Sequence, residues 1–229
     1  MSNSINDFVI KLANVNGTGS ASANNLLMKS FFRMGIPVMG KNYFPSNIQG
    51  LPTWYEIRVS KHGYVARSGR VDLMVAMNAQ TYEQDLREVS PGGYLIYDST
   101  WPRQRQLDRD DITVLGIPLS KMCNETFPVA RTRILMKNVA YVGALVALLD
   151  IDMEVIKGLL ADMFGAKEHL IAANLQAIQL GYDYAQENFS CPLAFRAETM
   201  DANGDAILID GNTAAGLGCV FAGATVGAW

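Results

Sequence analysis

Apolar residues come first in short blocks along this chain and later in helical stripes. Phe8-Val9-Ile10-Lys11-Leu12-Ala13-Asn14-Val15 is almost continuously apolar, as expected of a strand covered on both faces. A glycine turn, Asn16-Gly17-Thr18-Gly19, separates it from residues 20–34, where apolar positions recur at helical spacing until Gly35. Ile36 to Met39 reads as a short extended piece. From Trp54 to Ser60, Trp54, Glu56 and Arg58 alternate with Tyr55, Ile57 and Val59, which predicts a strand with two unlike faces. Val71 to Met77 is apolar apart from Asp72 and suits a central parallel strand. Tyr94 to Tyr97 follows the turn Pro91-Gly92-Gly93, and Ile112 to Leu115 is a further strand closed by Gly116. Strands alternating with helical stretches predict an α/β fold, Rossmann-like, with a mostly parallel sheet.

After Pro128 the pattern turns helical. Arg131 to Leu149 is apolar nearly all round and should be buried. Asp152 to Phe164 has an N-cap in Asp152 and a stop in Gly165. Ile171, Leu175, Ile178, Tyr182, Ala185 and Phe189 mark one face of a long helix that ends at Cys191-Pro192. Residues 192–209 read as a connector and strand. Asp210-Gly211-Asn212 then opens a helix rich in Gly and Ala. Gly216, Gly218, Gly223 and Gly227 each cost a helix about 1 kcal/mol relative to Ala, so another element is expected to pack closely there. The expected division is one domain over 1–195, then a linker and the truncated start of a second over 196–229.

Composition narrows the function. An apolar fraction of 49% and a charged fraction of 18% suit a packed core, and a net charge of −3 argues against a chain dominated by nucleic-acid binding. Cys123, Cys191 and Cys219 stand far apart with no CxxC or Cys/His pattern, so no zinc or iron–sulfur site is expected from this chain alone. Sparse, odd-numbered cysteines and the lack of a signal peptide suggest a cytoplasmic protein. Val139 to Leu149 is too short to span a bilayer, and the GxxxG spacing of Gly223 and Gly227 does not make the tail a membrane segment.

Two segments carry candidate chemistry. Gly17, Thr18, Gly19 and Ser20 form a turn at a helix N-terminus, which either only reverses the chain or cradles an anion. A nicotinamide reading is disfavoured because residues 34–45 offer no acid for the ribose. Ser46, Asn47, Ile48 and Gln49 lie in a loop bounded by Pro45 and Pro52 among Tyr43, Phe44, Trp54 and Tyr55. Such a loop either satisfies its own backbone or orients a carbonyl or carboxylate. Lys41, Arg58, Lys61, Arg67 and Arg70 are mostly solvated, with one or two able to meet an anion. His62 is a lone His in the turn Lys61-His62-Gly63, His169 has no nucleophile nearby in sequence, and neither a triad nor paired carboxylates can be read. A non-catalytic phosphate- or nucleotide-binding regulatory module is the alternative these residues leave open.

The strings Asn16-Gly17-Thr18-Gly19-Ser20, Phe44-Pro45-Ser46-Asn47-Ile48-Gln49-Gly50-Leu51-Pro52-Thr53-Trp54, Val75-Ala76-Met77-Asn78 and Asp210-Gly211-Asn212 resemble the alpha subunit of 2-oxoacid:ferredoxin oxidoreductases. Within that family the resemblance is to the 2-oxoglutarate branch, where a gamma domain is fused ahead of the alpha domain. Phe164-Gly165-Ala166-Lys167, Asn174 and Gly181-Tyr182 look like the end of that gamma domain. The resemblance implies a Rossmann-like gamma domain, then the start of an alpha domain of the pyrimidine-binding type found in thiamine enzymes. It also implies oxidative decarboxylation of a 2-oxoacid to its acyl-CoA, with electrons passing to ferredoxin. Thiamine diphosphate, Mg2+ and a [4Fe-4S] cluster are then held mainly by a beta subunit. This chain supplies the coenzyme A side through Gly17, Thr18, Gly19, Ser20, Ser46, Asn47, Ile48 and Gln49, within a hetero-oligomer with a dimeric core. The rest of the alpha domain completes it.

Overall fold

A computed structural model describes residues 4–46, 50–102, 106–189 and 193–227. The chain runs through β1 (Ser4–Ile5), β2 (Asp7–Val15), α1 (Ser20–Arg33), β3 (Val38–Tyr43), β4 (Pro52–Ser60) and β5 (Leu73–Ala76). It continues through α2 (Tyr82–Glu88), β6 (Tyr94–Asp98), β7 (Thr113–Ile117), α3 (Leu119–Thr126), α4 (Ala130–Leu148), α5 (Met153–Phe164) and α6 (Glu168–Asn188). β8 (Phe195–Arg196) and α7 (Gly211–Phe221) follow.

The main sheet has the order β3-β4-β2-β5-β6-β7. β2, β5, β6 and β7 are parallel, whereas β4 runs antiparallel to both β2 and β3. β5 is central and all four of its residues are buried, as an uninterrupted apolar run predicts. Alternation along β2 sorts the core into two layers. Phe8, Ile10 and Leu12 face the large cluster built with α1, α3, α4, α5 and α6, while Ala13 joins the smaller cluster around Tyr82 of α2. β4 has the two unlike faces expected of it: Ile57 and Val59 enter the large core, whereas Arg58 pairs with Asp7 at 2.5 Å.

The helices end where their local chemistry stops them. Asp152 caps α5 by accepting from the Glu154 N–H at 2.8 Å, and Gly165 closes it. α4 is buried without interruption from Asn138 to Val146, and it crosses α6 closely enough that both helices need glycine. A Cβ on Gly143 would lie 2.0 Å from the Ile178 carbonyl oxygen, and one on Gly181 would lie 1.8 Å from that of Ala140.

The structure corrects several expectations. Gly116 does not close its strand; β7 continues through it to Ile117, and the missing side chain leaves room for Ser99 and Tyr97. The strand expected within 192–209 is only Phe195–Arg196, paired in parallel with Ser4–Ile5. Beyond it the connector stays attached to the main body: Ala197 N–H donates to Leu149 O at 2.8 Å, and Met200 N–H to Met34 O at 2.8 Å. α7 starts as predicted, with Asp210 accepting from the Thr213 N–H at 2.9 Å. None of its residues is buried. Among the described residues no helix is long and apolar enough to cross a membrane.

Candidate functional site

β2 and β5 lie side by side, yet the helices that follow them cover opposite faces of the sheet, α1 one and α2 the other. A crevice therefore opens beyond their carboxyl ends, the place where open α/β sheets bind ligands. The glycine turn forms one wall. Gly17 and Gly19 have φ of 87° and 81°, values that favour glycine. Gly19 caps α1 without a side-chain hydrogen bond, and the first turn of α1 carries no acid. The first N–H groups of a helix lack intrahelical acceptors, and the helix dipole makes that end electropositive. Those are the ingredients of an anion site.

The predicted site residues divide as follows. Thr18 spends its hydroxyl proton locally, donating to Val15 O at 2.8 Å. Its carbonyl accepts from Asn138 Nδ2 at 2.8 Å, which fixes the turn against α4. Gly19 is not open to a ligand on its Cβ side, because Leu135 of α4 lies 2.4 Å from where a Cβ would stand. Ser20 is buried as the first residue of α1, and Ser46 is exposed. Asn47, Ile48 and Gln49 lie outside the described residues. Even so, the two motifs meet: Asn16 N–H donates to Leu51 O at 2.9 Å, and Gly50 N–H donates to Asn16 O at 3.2 Å. The polar loop is thus docked onto the glycine turn by a reciprocal backbone pair.

The flank of that loop forms an open cleft of about 540 Å³ lined by Asn42, Tyr43, Phe44, Pro45, Pro52 and Trp54. Three cations surround the Tyr43 ring: Lys11 Nζ at 5.8 Å, Lys41 Nζ at 5.4 Å and Arg67 Cζ at 5.4 Å. Lys11 also lies 5.7 Å from the Trp54 ring and is ion-paired with Glu88. Burial pulls the Glu88 carboxyl up, but hydrogen bonds from Lys11 and Gln84 outweigh it and leave the group below its usual range. Burial pushes the Tyr43 phenol up, helped by the charge on Glu56.

Asp98 and Lys137 were not singled out from the sequence, and Asn78 entered only within the Val75-Ala76-Met77-Asn78 string. Asn78, in the turn that follows β5, is buried, and its Nδ2 has no hydrogen-bond partner among the described residues. Asp98, at the end of β6, accepts from Thr100 Oγ at 2.6 Å and from the Ser120 N–H and hydroxyl. Lys137 of α4 stands 3.9 Å from Asp98. Lys137, Asp98, Met77, Ala79, Tyr82 and Trp101 line a second cleft of about 220 Å³. Lys137-Asn138 is a polar pair opening an otherwise apolar helical run, and that interruption was the available signal.

The fold and the crevice define an α/β domain that offers backbone N–H groups and a lysine at the carboxyl ends of parallel strands. The chain belongs to the pyruvate ferredoxin/flavodoxin oxidoreductase family, whose model matches residues 9–184. It is 25% identical to subunit alpha of 2-oxoacid:ferredoxin oxidoreductase 2 from Aeropyrum pernix, over 93% of this chain and 40% of that subunit. It is 26% identical to the ketoisovalerate oxidoreductase subunit VorA of Methanothermobacter thermautotrophicus, over 51% of this chain and 23% of that one. Its structure is similar to that of a 2-oxoglutarate:ferredoxin oxidoreductase from Magnetococcus marinus, solved with 2-oxoglutarate, coenzyme A and succinyl-CoA bound. The TM-score is 0.82 at 27% identity, covering 95% of this chain and 37% of that chain. The pyruvate oxidoreductase subunit PORC of Thermotoga maritima shares the fold, with a TM-score of 0.64 at 18% identity over 78% of this chain and 96% of that one. This chain therefore spans well under half the length of the Aeropyrum and Magnetococcus proteins.

Proposed function

We propose that this chain supplies the coenzyme A side of a 2-oxoacid:ferredoxin oxidoreductase acting on 2-oxoglutarate. The observation that carries the reading is the docking of the polar loop onto the glycine turn through Asn16, at the acid-free N-terminus of α1. A phosphate of coenzyme A meets the first N–H groups of α1 near Gly17, Thr18, Gly19 and Ser20, and Lys137 adds charge from α4. Ser46, Asn47, Ile48 and Gln49 orient the acyl or 2-oxoacid end. Residues 1–195 form the gamma domain, and 196–229 form the connector and the start of the alpha domain.

Thiamine diphosphate, Mg2+ and the [4Fe-4S] cluster belong to a beta subunit in this reading, and ferredoxin takes up the electrons. Among the described residues the donor set does not fit a cluster. Burial pushes the Cys123 thiol up to about 11, away from the thiolate a metal needs, and Cys219 stands alone on α7. Among the described residues no three His, Cys, Asp or Glu side chains group as metal ligands. The work of this chain is binding and orientation.

Ser22→Asp tests the anion site. Ser22 is exposed in the first turn of α1, where an added carboxylate favours the helix by about 0.3–1 kcal/mol. The same charge repels phosphate, so the coenzyme A Kd should rise about tenfold or more while the unfolding midpoint holds or increases. Unchanged coenzyme A affinity in calorimetry would reject the site.

A further inference from the structure

Asp85 is the least expected group near the site. It lies on α2 with no exposed surface, and its carboxylate ties β4 to the N-cap of its own helix. Trp54 Nε1–H of β4 donates to Oδ1 at 2.8 Å, and Thr81 Oγ–H donates to Oδ2 at 2.6 Å. Thr81 Oγ also lies 3.1 Å from the carbonyl oxygen of Asn78. A hydroxyl has one proton, so Thr81 serves either Asp85 or Asn78 but not both. Trp54 lines the loop-flank cleft, and Asn78 lies in the turn that follows β5. Asp85 therefore sits midway along a chain of hydrogen bonds joining two walls of the candidate site.

We propose that Asp85 is a positioning residue whose carboxyl, through Thr81 and Trp54, couples the Asn78 turn to the flank of the polar loop and is rewired by one proton. With Asp85 ionised, both oxygens accept, and the Trp54 bond is charge-assisted, roughly twice as strong as a neutral one. When a solvent proton adds to Oδ2, the new O–H donates to Thr81 Oγ. The Thr81 proton then turns to Asn78 O, and Trp54 keeps only a neutral acceptor. The donors of Trp54, Thr81 and the Asp85 carboxyl each keep an acceptor in both states, so the fold accommodates both.

The surroundings place this exchange within reach of ordinary pH. Burial pushes the Asp85 carboxyl up to about 6, against the pull of hydrogen bonds from Thr81 and Trp54. The charged groups facing it are Glu88 on α2, which raises it, and Lys11 on β2, which lowers it, and these two are ion-paired with each other. From β5, Met74 and Ala76 enter the same cluster as α2 and carry no charge.

The inference about the site rests on the coenzyme A reading, whereas the relay itself can be read without ligand. In the full 229-residue chain, the Trp54 indole N–H resonance, assigned with Trp54→Phe, should titrate with a midpoint near 6. Asp85→Asn keeps an acceptor for Trp54 and a donor for Thr81, mimics the protonated state, and should abolish the titration. Thr81→Ser should leave the midpoint in place, and Thr81→Val, which removes a donor to the carboxylate, should raise it. A flat wild-type resonance between pH 4.5 and 7.5, or a titration that survives Asp85→Asn, overturns the relay.

Coenzyme A affinity is then compared at several pH values. Its ribose 3′-phosphate monoester also titrates near pH 6. The readout is therefore the ratio of the Asp85→Asn Kd to the wild-type Kd. The ratio should be near 1 at pH 5 and about 3 to 10 at pH 8, the worth of one strengthened hydrogen bond. A ratio independent of pH overturns the coupling to the site. Failure of coenzyme A to bind at any pH sinks the coenzyme A reading instead, and the indole titration still decides the relay.

Discussion

Gly19 answers to two demands at once. Its φ of 81° is a left-handed value, and Leu135 fills the space a side chain would take. A valine there, an obvious way to obstruct a ligand, would instead push α4 away from the turn. Gly19→Ala should cost about 1–3 kcal/mol, with the backbone strain remaining after Leu135→Ala has removed the steric part. Urea midpoints of the two single variants and the double variant check this: equal losses with and without Leu135 would mean that the contact carries no cost. At Asp85 the sign of the pH effect follows from its raised pKa. Between about 3.8 and about 6 the folded chain holds a proton that the unfolded chain has released. Stability contributed by this group is therefore fully present below that window and is lost as pH rises through it. Asp85→Asn should remove that slope, which thermal unfolding at pH 4.5, 5.5 and 7 would reveal.

At the scale of elements, the apolar runs of β2 and β5 and the stripes of α1, α5 and α6 were legible because each buries a continuous face. β3 was underestimated, since Lys41-Asn42-Tyr43 continues it as an edge strand and edges tolerate polar residues. α2 and α3 were not located: α2 is a seven-residue helix and α3 an eight-residue one, too short to display a period. The site was half legible. The glycine turn and the polar loop stand out in sequence, but their docking through Asn16 joins distant segments, and Thr81, Asp85 and Lys137 resemble ordinary surface polarity until folded. The α4–α6 crossing shows what else sequence conceals. Gly143 and Gly181 look like helix-weakening residues, yet each faces the other helix's backbone at a distance no side chain fits. Gly181→Ala should destabilise the chain by about 1–3 kcal/mol or more despite the higher helix propensity of Ala. A gain in the denaturation midpoint would contradict the packing.

At the scale of the molecule, the main body and α7 obey different rules. The body covers its strands on one face with α1, α3, α4, α5 and α6, and the connector is tied back to it at Leu149 and Met34. α7 has no buried residue, and nothing among the described residues lies within 4 Å of where a Cβ would stand on Gly211, Gly216 or Gly218. Phe221 is 89% exposed and Val220 67%. Such a helix contributes little to the stability of the body, and its exposed apolar residues call for a covering element. Under the function proposed above, that is the rest of the alpha domain. Phe221→Asp should therefore shift the unfolding free energy of this chain by less than about 0.5 kcal/mol, the range for surface changes that touch nothing. In the assembled oxidoreductase the same substitution should lower the yield of intact complex and its 2-oxoacid-dependent acceptor reduction together, with the activity per assembled particle preserved. Full assembly and activity with Asp at 221 would show that α7 faces solvent there too, and the small-residue pattern of the helix would need another cause.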